Sequence, residues 1–190
     1  PGTVPADIDS AYRCQDEAIA LWPDEIVGWK VGWIAEDQQR IYGEERIVGP
    51  IFRKAVRSVA LDEEVDIRIF AGGFAAVEAE FVFRIAADAP PTKIDWTDEE
   101  AAGLVAGMYI GVEPASSPLA TINDLGPAVV VSDFGNNAGL LLGPEIAYWR
   151  SRTRDGLSCE TFIDGRSVGQ GGTARLPKGP LGALAFALRR

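Results

Sequence analysis

The stretch "VEAEFVF", residues 77–83, constrains this chain more than any other. Its β-branched and aromatic residues alternate with polar ones at a period of two, which is the signature of a strand. Side chains two apart on a strand share a face. Val77, Ala79, Phe81 and Phe83 therefore occupy one face, and Glu78, Glu80, Val82 and Arg84 the other. The two glutamates stand roughly 7 Å apart along the strand. Like charges this close repel unless water or a cation screens them. Two readings are open: the solvent face of an antiparallel sheet, or one side of a cation site.

A third glutamate, Glu113, lies in the apolar run "YIGVEPA". A buried carboxylate is costly unless it is paired or bound to a metal. If Glu113 faced Glu78 and Glu80, three carboxylates would surround one point, which suits a hard divalent cation, Mg²⁺ or Mn²⁺. The chain has no histidine, which removes histidine triads, imidazole zinc sites and histidine general bases. Its 28 acidic and 18 basic residues give a net charge of −10, which disfavours nucleic acid and anionic membrane surfaces as partners. No apolar run reaches the length of a membrane-spanning helix. The two cysteines, Cys14 and Cys159, are read as reduced thiols of a cytoplasmic protein, with a single disulfide as the alternative.

The local pattern predicts a helix over 7–22, ended by Pro23, and a buried strand in "IVGWKVGWI". Residues 40–56 read as loop and short strands. Residues 65–70 read as a strand, broken by Gly72-Gly73 before the long strand. Thr97 with Glu100 forms a capping box for a helix whose period runs through Ala101, Leu104, Val105 and Met108. "AVVVSDFGNNAGLLLG" reads as two buried strands around a polar turn, and "CETFIDGRSVGQGG" as a hairpin with Asp164-Gly165 at its tip. Pro180 begins a final helix. The whole reads as one strand-rich α+β domain over 1–190, with a helical region over 1–24 and a strand-rich core over 25–190.

Five motifs occur in one order: "GWKVG" (28–32), "VEAEFVF" (77–83), "GVEPA" (111–115), "SDFGNNAGLLLG" (132–143) and "DGRSVGQGGTA" followed by "GPLGALAFAL". Each is weak singly. The ordered set resembles the fumarylacetoacetate hydrolase superfamily, and within it the branch of 2-keto-4-pentenoate hydratases and 4-oxalocrotonate decarboxylases. The resemblance runs from about Asp9 to the end and implies that superfamily's mixed β fold. It implies that Glu78, Glu80 and Glu113 hold a catalytic Mg²⁺ or Mn²⁺ and that Lys30 lies in the active site. Read from its own residues, Lys30 is a strand-end lysine with its stem buried and its ammonium in water, which is the usual case.

Asp133 matches a family aspartate, although Phe134 stands where the family has asparagine; a turn-forming aspartate is the alternative. Gly171 and Gly172 could offer backbone N–H groups, and Thr173 a hydroxyl, to a substrate carboxylate; a plain hairpin end is the alternative. Two departures stand out. Ile47 and Val48 replace a family aspartate, and Gly179 replaces a histidine. The chain opens at Pro1 rather than at methionine, and the family continues through further strands, so an incomplete chain is expected.

The resemblance thus implies a cytoplasmic, homo-oligomeric, metal-dependent lyase acting on a small-molecule 2-keto or 2-hydroxydienoate acid. An acylpyruvate-type hydrolase, a decarboxylase of the same superfamily and a non-catalytic metal-binding paralogue or partner subunit are the alternatives.

Overall fold

Asp7 opens the first helix with a reciprocal cap: its carboxylate accepts from Ser10 N at 2.7 Å, and its own N–H donates to Ser10 Oγ at 3.2 Å. The computed structural model describes residues 3–151 and 156–190; the expectation attached to Pro1 lies outside them. Helix α1 spans Ile8–Leu21 and buries Ile8, Ala11 and Gln15. Trp22 is the C-terminal cap and is half exposed.

Strand β1 (Ile26–Trp33) is followed by helix α2 (Glu36–Tyr42) and strand β2 (Arg46–Phe52). Helix α2 falls partly where loop and short strands are expected. It buries no residue, so it has no apolar stripe to reveal it, and it ends at Gly43 with a left-handed φ of 73°. Strands β1 and β2 pair antiparallel, with Lys30 opposite Gly49 and Trp29 opposite Pro50. Strand β3 is Val56–Ser58 and β4 is Phe74–Ile85. Residues 65–70 form no strand, although Val65 and Ile67 are half buried.

Helix α3 (Asp98–Gly103) has the predicted capping box, with Thr97 N donating to Glu100 Oε2 at 3.0 Å. It stops before Val105 and Met108, which belong to β5 (Val105–Ser117). The β-branched and aromatic run that starts there pairs as a sheet strand, and pairing overrides the helical period. Helix α4 (Pro127–Ser132) replaces a predicted strand: Pro127 sits at its first turn, and Ala128 and Val131 face the core three residues apart. Strand β6 is Leu140–Glu145. Strands β7 (Ser158–Ile163) and β8 (Arg166–Gly172) form the predicted hairpin, with φ of 49° at Asp164 and 74° at Gly165, as a type I′ turn requires. Helix α5 is Gly179–Ala187.

The fold is mixed α+β and strand-rich, with eight strands and five α-helices among the described residues. Among the described residues the strands form three sheets: β1-β2, β3-β6-β5-β4 and β7-β8. Two compact units divide the chain. The first comprises the residues up to Ser58, Asp62–Glu78 and Glu113–Leu141; the second comprises Val59–Leu61, Ala79–Val112 and the residues from Leu142 on. The first unit has a core of Ile8, Ala11, Ile34, Ile47, Ala128 and Val131. Gln15 ties that core together: its Nε2 donates to Val48 O at 3.2 Å and to Val131 O at 2.8 Å. In the second unit a cavity of about 480 Å³ is lined by Phe83, Met108, Trp149, Leu157, Thr173 and Leu181, among others.

Candidate metal centre

On β4 the burial inverts the usual amphipathic strand. Ala75, Val77 and Ala79 are exposed, Val77 by 57%, whereas Ala76, Glu78 and Glu80 are half buried. The glutamates therefore occupy the better covered face of the strand.

Glu113 lies in the fully buried end of β5 and is 2% exposed. One carboxylate oxygen each from Glu78, Glu80 and Glu113 lie within 4.8 Å of one another. Burial pushes the Glu113 carboxyl above the ordinary carboxylate range. Lys30 and a hydrogen bond from Asn137 pull it back, Glu78 pushes it further up, and burial outweighs the rest.

Strand alternation sets Lys30 on the side opposite Trp29, which is 49% exposed. The Lys30 ammonium donates to Gly135 O at 3.0 Å and lies 3.1 Å from Glu113 Oε1. Their side chains are 10% and 3% exposed. The contact with Glu113 is an ion pair by distance, but Oε1 receives no aligned hydrogen bond. A buried anionic oxygen without an aligned donor retains coordination capacity. Three hard oxygen donors, one of them orphaned, fit a hard divalent cation such as Mg²⁺ or Mn²⁺.

Asp133 is not one of the three clustered carboxylates. It caps α4, and its backbone oxygen accepts from Asn136 N at 2.8 Å. Gly171 and Gly172 end β8, opposite Cys159 and Ser158. Thr173 is 4% exposed, and its N–H donates to Leu157 O at 3.0 Å. These three belong to the second unit. Sequence reasoning did not single out Gly49, Gly135 and Asn137 as neighbours of Lys30 and Glu113. The only local signal was the Gly-Asn-Asn run at 135–137, which favours left-handed backbone.

No protein-family model matches the sequence, and a search of curated proteins finds no match. Solved structures do share the fold. One is 4-oxalocrotonate decarboxylase from Pseudomonas putida G7 complexed with calcium and acetate, at 18% identity and a TM-score of 0.68; it covers 96% of this chain and 68% of its own. The same enzyme with magnesium and adipate gives 19%, 0.67 and the same coverage. Fumarylpyruvate hydrolase from Pseudomonas aeruginosa with Mn²⁺ and pyruvate gives 15% identity, a TM-score of 0.55, and 85% and 68% coverage.

Proposed function

We propose that this chain is a divalent-metal-dependent enzyme of the fumarylacetoacetate hydrolase superfamily. It acts as a hydro-lyase on a small 2-keto or 2-hydroxydienoate acid. The observation that carries the reading is the gathering of Glu78, Glu80 and Glu113, with the Lys30 ammonium 3.1 Å from Glu113 Oε1. The glutamates would hold Mg²⁺ or Mn²⁺, which supplies Lewis-acid polarisation and templating of an oxygen-rich substrate.

The chain's own groups do the rest. Lys30 Nζ carries protons and a positive charge in a site nearly closed to water. It is thus suited to donate a hydrogen bond to a substrate oxygen as negative charge develops there. Gly135 O, its second partner, keeps the ammonium oriented. Burial of Glu113 limits competition from water for the same oxygens. Asp133 as a second proton-handling group, and Gly171, Gly172 and Thr173 as a carboxylate-binding stretch, remain parts of the proposal. Asp133→Asn and Thr173→Val test them.

Decarboxylation is the second reading, favoured by the likeness to 4-oxalocrotonate decarboxylase at TM-scores of 0.68 and 0.67. Hydrolysis of an acylpyruvate has the likeness to fumarylpyruvate hydrolase, at a TM-score of 0.55, behind it. Turnover of 2-hydroxypenta-2,4-dienoate, 4-oxalocrotonate and an acylpyruvate, each with Mg²⁺, with Mn²⁺ and with EDTA, separates these. Absence of metal-dependent turnover on all three would overturn the enzyme reading in favour of a non-catalytic metal-binding paralogue or partner subunit. Cytoplasmic location and homo-oligomeric assembly belong to the same proposal. Cys14 and Cys159 are free thiols, and no helix among the described residues is long and apolar enough to cross a membrane. Light scattering reads the assembly state.

A further inference from the structure

Three consecutive residues after α4 have left-handed backbone: Phe134 at φ 56°, Gly135 at 70° and Asn136 at 53°. Two of them are not glycine, so each costs free energy relative to right-handed backbone. Asn136 carries a further cost, because its buried Oδ1 has no hydrogen-bond partner. A strained segment persists only where its surroundings over-determine it.

The surroundings here are specific. A Cβ at Gly49 would lie 2.1 Å from Phe134 O and 3.0 Å from Gly135 N, so the turn closes on β2 only because position 49 has no side chain. The Phe134 ring is held by Trp22 and Phe52, with centroids 5.4 and 5.2 Å away. At the centre of the turn, Gly135 O accepts from Lys30 Nζ at 3.0 Å. A Cβ at Gly135 would come within 2.9 Å of Lys30 Cδ, so this glycine also makes room for the lysine stem.

We propose that the Phe134–Gly135–Asn136 turn is the positioning device of Lys30: locked against Gly49 and the Trp22–Phe52–Phe134 aromatic trio, it aims the Gly135 carbonyl at the ammonium and holds it beside Glu113. The turn acts through Lys30. For catalysis this rests on the role proposed above for Lys30; for structure it does not.

The structural part is read without activity. The sequence has four lysines, Lys30, Lys54, Lys93 and Lys178, so ¹³C labelling at lysine Cε gives few signals to assign. In Gly135→Ala the Lys30 signal moves toward the position of a solvent-exposed lysine while the other three stay in place. In Lys30→Met, which keeps the stem's bulk, the Gly135 and Asn136 amide resonances shift. A Lys30 signal unmoved in folded Gly135→Ala overturns the proposal, as do unshifted turn amides in Lys30→Met. If Gly135→Ala does not fold, the Lys30→Met amides decide alone.

Once a turned-over substrate is in hand, a double-mutant cycle extends the test. Gly135→Ala lowers kcat about 100-fold, the scale of a small misplacement of a reacting group. That loss vanishes in the Lys30→Met background, whereas a general structural defect persists there. Absence of turnover by the parent chain defeats the proposed function and leaves the NMR result standing.

Discussion

The Lys30 ammonium and Glu113 Oε1 lie 3.1 Å apart with almost no access to solvent. Removing one partner of a buried pair leaves the other charge uncompensated. Lys30→Met is therefore expected to be less stable than the parent without metal and to recover much of the loss in Mn²⁺, which replaces the ammonium as counter-charge. Thermal melts with and without MnCl₂ read this directly. Turnover of the preferred substrate falls roughly 100-fold or more, the scale of a positioned acid–base or oxyanion group.

The carboxylate cluster predicts metal-linked stability. Mn²⁺ at a hundred times its Kd stabilises the folded chain by about 2.7 kcal/mol. Glu78→Gln, Glu80→Gln and Glu113→Gln each lose most of this gain, because each removes one of the three clustered carboxylates. Calorimetric titration with Mn²⁺ assigns the ligands one at a time. A variant that still binds like the parent removes that glutamate from the set.

Gln15 provides a contrast, since its two hydrogen bonds, to Val48 O and Val131 O, serve the core. Gln15→Leu keeps similar bulk and leaves those carbonyls without the side-chain donor. It is expected to cost about 1–3 kcal/mol in denaturant unfolding with Mn²⁺ affinity unchanged. A shift in affinity would show that α1 reaches the metal centre.

Two glycines test the backbone geometry. A Cβ at Gly73 would lie 2.1 Å from Ser117 O, a backbone atom with little freedom to move, whereas one at Gly169 meets nothing within 4 Å. Gly73→Ala is expected to destabilise by about 3 kcal/mol, and Gly169→Ala by no more than about 0.5 kcal/mol. Equal effects of the two in urea melts would contradict the close approach at the start of β4.

What the sequence determined by itself is whatever neighbouring residues settle among themselves. The period-two run around Glu78 and Glu80 made a strand. Thr97 and Glu100 capped a helix three residues apart, and Asp164-Gly165 turned a hairpin. The ordered motifs extended this to the fold and named Lys30 and the three glutamates as candidates. Tertiary structure decided the rest, because the deciding partners are distant in the chain. The β-branched run at 129–131 became helical once Ala128 and Val131 packed into the core, and Val105 and Met108 left the helical period for a sheet strand. The inverted burial of β4, the orphaned oxygen of Glu113 and the clasp of Gly135 on Lys30 all join segments separated by tens of residues. Local propensity is indifferent to such contacts, and they exist only because packing stabilises them more than the strained turn and buried charges cost.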